Sequence, residues 1–204
     1  MKKILILLIS IVAISLIFIG KMQYDHKIAQ AGKGTLQEQT SGPTESNLLS
    51  LTRNMSDDLQ VIVNAKLESE EAITILIVGS NAIMSGSSEN LPWPLQVENA
   101  LEDTYGENIF HVEVMNFENV TTNHLIETKG HERIAEKQAD ILIIEPLLLN
   151  DNGFVKVEDT LRNLETIVNL VKQVNPRTHI IVQPSNPIHE PITYLEQVNS
   201  LEEF

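Results

Sequence analysis

The chain has no cysteine, which removes disulfide cross-links and a cysteine-borne lipid anchor but leaves exported and cytosolic settings both open. It has no acidic residue in its first 21 positions and no charge of either sign in residues 4–20, where Ser10 and Ser15 are the only hydroxyls. As a helix that run spans about 25 Å, within the range of membrane-crossing segments. A cleaved signal peptide would share the basic start and apolar core, yet Lys21-Met22-Gln23-Tyr24 offers no small-x-small cleavage pattern. We therefore expect residues 1–21 to remain as a single-pass anchor in the cell membrane. Lys2 and Lys3 favour a cytoplasmic amino terminus and an extracytoplasmic carboxyl-terminal domain, an asymmetry that Lys21 weakens without reversing.

Positive charge is scarce beyond that point. All 28 acidic residues follow Lys21, against 11 lysines and arginines in the same stretch. Such a surface repels nucleic acid and anionic headgroups, so nucleic acid is not an expected partner.

What is present falls into segments. From Gln30 to Ser46 the composition turns to Gly, Gln, Thr, Ser and Pro, which buries too little apolar surface to order itself, so residues 22–46 are expected to form a flexible stalk. In residues 47–69, Leu48, Leu51, Met55, Leu59, Ile62, Val63 and Leu67 recur at three- and four-residue steps, which predicts one amphipathic helix. It would pack on the following domain or pair with another chain. From residue 70 to 204 short β-branched runs alternate with helical patterns. Strands are predicted over 73–78, 110–115, 141–144 and 179–183. Helices are predicted over 95–105, 125–138 with an interruption near Gly130, 157–174 and 194–204. Repeated β-α units imply a three-layer α/β domain with a parallel sheet. Ligands then meet the loops beyond the carboxyl ends of the strands, at residues 79–90, 116–123, 145–153 and 184–191.

Two of those loops resemble the SGNH (GDSL-type) esterase/lipase family, a flavodoxin-like group of hydrolases acting on acyl esters of lipids, sugars and related molecules. Ile75-Leu76-Ile77-Val78-Gly79-Ser80-Asn81-Ala82, followed by Gly86 and Trp93, is similar to the family's first block, a strand ending in Gly-Asp-Ser-Leu. Asp140-Ile141-Leu142-Ile143-Ile144-Glu145-Pro146 through Asn150-Asp151 is similar to its third block, a strand leading to Gly-x-Asn-Asp. The resemblance implies ester hydrolysis without a cofactor, with an acylated glycan or a lipid as substrate. It assigns Ser80 and Asn150 to catalysis, Asn150 as an oxyanion donor, and places Gly79, Asn81 and Asp151 in the cleft.

The chain departs from the family in ways that bear on activity. Aligned on Gly79, the nucleophile position is Asn81, whose delocalised amide nitrogen does not attack esters; Ser80 serves only if the turn shifts by one residue. Ser85, Ser87 and Ser88 are further hydroxyls in the same loop. Residues 116–122 contain no glycine for the second block. No Asp-x-x-His follows the fourth strand, so a member shortened at its carboxyl end, with weak or absent turnover, is expected. His189, in the loop after the fourth strand, lies too early to match the family histidine and is either an ordinary loop residue or a substitute base, and Glu145 is either a buried carboxylate or a solvated one. A non-catalytic module holding an envelope glycan or a partner protein is the alternative function. Asn150-Asp151-Asn152 offers oxygens for Ca²⁺ but lacks the spacing and bidentate Glu of an EF-hand, so no metal is expected.

Overall fold

The computed structural model describes residues 45–86, 90–189 and 194–204. The expected anchor and all but the last two residues of the expected stalk lie outside them, as do Ser87 and Ser88. Among the described residues no helix is long and apolar enough to cross a membrane.

Four parallel strands form the sheet: β1 (Ile73–Gly79), β2 (Phe110–Asn116), β3 (Ile141–Ile144) and β4 (His179–Val182). Their spatial order is β2-β1-β3-β4. Register runs Ile73 to Phe110 and Gly79 to Asn116 across β1 and β2, Ile75 to Ile141 and Val78 to Ile144 across β1 and β3, and Ile141 to His179 across β3 and β4. The chain therefore leaves β1 to opposite sides, toward β2 and later toward β3. That reversal is the switch point of a flavodoxin-like order, where the loops part and leave a crevice.

Because side chains alternate along a strand, β1 feeds two cores. Ile73, Ile75 and Ile77 face one side with Ile141, covered by Leu48, Val63, Leu67 and Tyr105. Leu76 and Val78 face the other with Leu142 and Ile144, covered by Leu125, Ile134, Leu164, Ile167, Val171 and Leu201. Removing each such aliphatic side chain from water contributes roughly 1.5–3 kcal/mol, which is why a run as continuous as Ile75-Leu76-Ile77-Val78 belongs at the sheet centre.

Helices α1 (Glu45–Leu51), α2 (Asp57–Glu68) and α3 (Trp93–Tyr105) supply the first cover. The second comes from α4 (Thr122–Glu127), α5 (Gly130–Glu136), α6 (Leu148–Asp151), α7 (Val157–Val174) and α8 (Tyr194–Glu202). The three-layer α/β expectation is met.

The single helix expected over 47–69 is instead two, α1 and α2, separated by a 3-10 turn at Thr52–Asn54 and an extended Met55. Thr52 is fully buried, and its hydroxyl bonds the Leu49 carbonyl and the Asn64 side chain, while the Gln60 amide donates to the Thr52 carbonyl. Those side-chain bonds replace helical ones, and Ser56-Asp57-Asp58 restarts the helix with acid at its positive end. Part of the apolar stripe survives the break: Leu48, Val63 and Leu67 pack on the sheet, while Leu51 is exposed.

The interruption expected near Gly130 separates α4 from α5. Lys129 takes a left-handed conformation, and a Cβ on Gly130 would sit 2.8 Å from Leu125 Cγ and 3.0 Å from the Phe117 ring. Only a residue without a side chain fits between them.

Candidate functional site

At the switch point β1 ends in Gly79 and Ser80, and β3 continues into Glu145, whose N–H donates to the Val78 carbonyl at 2.8 Å. The Glu145 side chain is buried, which settles its two open readings against solvent contact. One carboxylate oxygen, Oε2, accepts from the Ser80 N–H at 2.8 Å. The other, Oε1, accepts from the hydroxyl of Ser185, a buried residue of the loop after β4. Three successive strands of the sheet thus deliver Ser80, Glu145 and Ser185 to one spot.

Gly79 makes that meeting possible. A Cβ there would lie 2.6 Å from Ile83 Cγ2 and 3.0 Å from Glu145 Oε2, so any side chain would displace the carboxylate. Its contribution is space rather than hydrogen bonding to a ligand.

Ser80 is buried and caps the 3-10 turn Asn81–Met84, its Oγ accepting from the Ala82 N–H at 3.2 Å. A nucleophilic serine donates its proton to a base; among the described hydrogen bonds the Ser80 hydroxyl accepts from Ala82 and donates to no histidine or carboxylate, and the contact with Glu145 runs through the Ser80 backbone N–H. Asn81, at the family's nucleophile position, is exposed. Its Oδ1 accepts from Asn116 Nδ2 at 3.0 Å, its Nδ2 lies 3.5 Å from Asn119 Oδ1, and its backbone N–H donates to the Glu118 carbonyl. Ser85 is exposed and bonds the Asn81 carbonyl.

Asn150 lies on α6, which begins at a left-handed Leu147. A bulky residue held at positive φ stores on the order of 1–2 kcal/mol, and here it aims both Asn150 and Asp151 inward. Asn150 Nδ2 donates to the Glu118 carbonyl at 2.8 Å and the Val120 carbonyl at 2.9 Å. A side-chain amide has two N–H groups, and both are engaged. Flipping the amide would set its oxygen against two carbonyls. The residue expected to donate to an oxyanion instead clamps the loop between β2 and α4.

Asp151, expected in the cleft, is fully buried beneath it. Its Oδ1 accepts from the Thr122 N–H at 2.8 Å, and Oδ2 from the Thr122 and Thr160 hydroxyls at 2.5 and 2.6 Å. It therefore ties the start of α4 to the start of α7. Burial raises its pKa; the threonine hydrogen bonds oppose the rise, and the Glu145 charge adds to it.

The loop after β4 closes the site. Asn186 Nδ2 reaches the Ala82 carbonyl at 3.4 Å, and the buried Tyr194 hydroxyl donates to the Asn186 carbonyl at 3.0 Å. His189 is exposed in this loop, while the side-chain and backbone hydrogen bonds of Ser80 run to Ala82 and Glu145. Among the described residues no cluster of His, Asp and Glu is arranged to hold a metal ion.

Ser185 was not found from sequence. It lies 40 residues from Glu145 and belongs to no recognisable spacing, and its position after a strand was the only available signal.

No protein-family profile matches the chain, and no curated protein does. A crystal structure of a candidate GDSL-like lipase from Parabacteroides merdae is similar with a TM-score of 0.45 at 16% identity, over 54% of this chain and 58% of that one. The chain thus spans less than two thirds of that protein's length.

Proposed function

We propose that this chain is a membrane-anchored SGNH/GDSL-type hydrolase-family protein, with its α/β domain outside the cytoplasm, whose reaction is slow hydrolysis of an acyl ester on an envelope glycan or lipid. The observation that carries the reading is the meeting of Ser80 and a buried carboxylate, Glu145, at the β1/β3 switch point. A buried carboxylate with no cation among its hydrogen-bond partners is costly to fold, and such groups concentrate where chemistry or binding needs them. The anchor rests on the uncharged run at residues 4–20.

Slow turnover follows from the same geometry. Among the described residues no histidine or carboxylate accepts the Ser80 hydroxyl proton, and both Asn150 N–H groups are committed to carbonyls. Full-length protein in detergent should release acid from short-chain acyl esters slowly, and Ser80→Ala should abolish that release. Activity that survives Ser80→Ala sinks the mechanism.

One observation favours a second reading, a non-catalytic module holding a glycan or partner at the same end. Ser80 is sealed beneath the loop after β4, whereas Asn81, Asn116 and Asn119 stand exposed beside it as a linked group of amides. In that case ester turnover is absent, and retention on a glycan matrix is indifferent to Ser80→Ala but weakened by Asn150→Ala, which frees the loop carrying Asn119.

A further inference from the structure

An asparagine can lose its amide without an enzyme, when the backbone nitrogen of the next residue attacks the side-chain Cγ. That nitrogen must be unhindered by a side chain, free of a hydrogen bond and able to swing toward Cγ. Glycine follows asparagine once in this chain, at Asn152-Gly153. Where another asparagine precedes a small or polar residue, the nitrogen is already held. Ala82 N–H, after Asn81, donates to Ser80 Oγ, His124 N–H, after Asn123, to Thr121 Oγ1, and Asp151 N–H, after Asn150, to the Leu147 carbonyl. Asn64, Asn99 and Asn199 lie inside α2, α3 and α8, where the next N–H bonds one turn back.

The Gly153 N–H takes part in none of the described hydrogen bonds, although its neighbours do. Asn152 N–H donates to the Leu148 carbonyl at 3.0 Å, and the N–H groups of Phe154 and Val155 donate to the Asp151 carbonyl at 2.8 and 2.9 Å. With φ −55° and ψ 117° at Asn152 and φ 81° at Gly153, residues 151–154 form a type II turn. Ring closure needs the peptide plane between Asn152 and Gly153 to rotate. Types I and II of this turn differ by the orientation of that one plane, and glycine accepts either sign of φ. Gly153 is exposed, and beyond its chain neighbours no described atom lies within 4 Å of where its Cβ would stand. Space and backbone freedom are both available.

We infer that Asn152 is a site of spontaneous deamidation through a cyclic imide, a modification that the folded turn permits. The Gly153 nitrogen gives its proton to solvent base and bonds to Asn152 Cγ; the Cγ–Nδ2 bond breaks, and ammonia leaves with a proton from solvent. Water then opens the imide. Attack at Cγ leaves aspartate, and attack at the main-chain carbonyl leaves isoaspartate, through whose side-chain carbon the chain now continues. Either product sets a new carboxylate directly after Asp151, and isoaspartate adds a methylene to the turn that the Asp151 carbonyl closes. The change falls one residue from the tie between α4 and α7.

The test uses the full chain in detergent, incubated for days at neutral and mildly alkaline pH in heavy-oxygen water, then digested in acid and mapped by mass spectrometry. Residue 152 should turn from amide to acid with one heavy oxygen, isoaspartate should exceed aspartate, and the rate should rise with pH. Asn81, Asn123 and Asn150 should remain amides over the same period. Asn152→Gln, whose ring would be larger and slower to close, should remove the signal. Local opening of an exposed turn costs little, so the folded chain should react within about tenfold of the rate in urea. A greater lag shows that the turn pins the peptide plane and overturns the inference. An intact residue 152, or aspartate without isoaspartate, overturns it too. Neither membrane attachment nor ester turnover enters these readings.

Discussion

Strand β3 is bracketed by two carboxylates, Asp140 just before it and Glu145 just after, and each grips the backbone of β1 in the same way. Asp140 Oδ2 accepts from the Thr74 N–H at 2.9 Å and from its hydroxyl; Glu145 Oε2 accepts from the Ser80 N–H at 2.8 Å. Their surroundings are opposite. Asp140 is partly solvated and has a cation, Lys66, at 3.4 Å, beside a groove of about 250 Å³ that Arg177 also lines. Glu145 is buried, with hydroxyl and amide partners only. The same backbone clasp is built at the amino end from a partly solvated carboxylate, so a fully buried carboxyl group at the carboxyl end needs a reason beyond holding two strands together. That contrast, more than any single motif, locates the site.

The contrast breaks most directly through truncation. Glu145→Ala leaves the Ser80 N–H and the Ser185 hydroxyl unpaired in a buried space, and should lower unfolding free energy by about 3 kcal/mol in urea titration. Asp140→Ala exposes its partners to water and should cost only about 1–2 kcal/mol. Equal losses would mean the two clasps are equivalent and the argument from cost is void.

Isosteric changes sharpen it further. Glu145→Gln keeps an acceptor for the Ser80 N–H and a polar partner for Ser185, so stability should change by less than roughly 1 kcal/mol, whereas Asp140→Asn strands Lys66 and should lose about 0.5–1 kcal/mol. A clear loss at Asp140 beside little change at Glu145 marks an ion pair kept for structure at the amino end and a carboxyl group the fold does not require at the other.

The strands and helices were more legible in sequence than the loops that join them. β1, β3 and β4 announced themselves as β-branched runs, β2 as an alternation, and α7 as an apolar face closed by Asn175-Pro176, because burial on both faces or on one stripe leaves a periodic trace. The sequence also placed Ser80, Asn150 and Asp151 near the right strand ends. It could not show what their atoms do. Asn150 lost its donors to the carbonyls of Glu118 and Val120, some thirty positions away, and Asp151 turned inward to Thr122 and Thr160. Hydrogen bonds between loops of distant strands leave no period to read. The break between α1 and α2 escaped for a related reason: the apolar stripe continues across it, and only the buried Thr52 and its bond to Asn64 interrupt the helix.

The smallest expected effect concerns Asp151, a second carboxylate near Glu145. Burial raises its pKa above the ordinary 3.8, against the opposing threonine hydrogen bonds. A raised folded pKa means the folded state holds the proton more tightly than the unfolded chain. The stability this confers is complete below the unfolded pKa and is lost as pH rises through the folded one. Asp151→Asn carries no proton to lose, and its amide still pairs with Thr122 and Thr160, whose hydroxyls can turn to accept. Relative to the unmodified chain, the variant should therefore gain stability between about pH 4 and pH 7, by a fraction of a kcal/mol, in urea midpoints measured at both values. A relative loss over that interval would mean the three hydrogen bonds outweigh burial. Asp151 would then be a carboxylate satisfied by its neighbours, like Asp140, and Glu145 would be left as the one buried carboxyl group at this end that the fold itself does not explain.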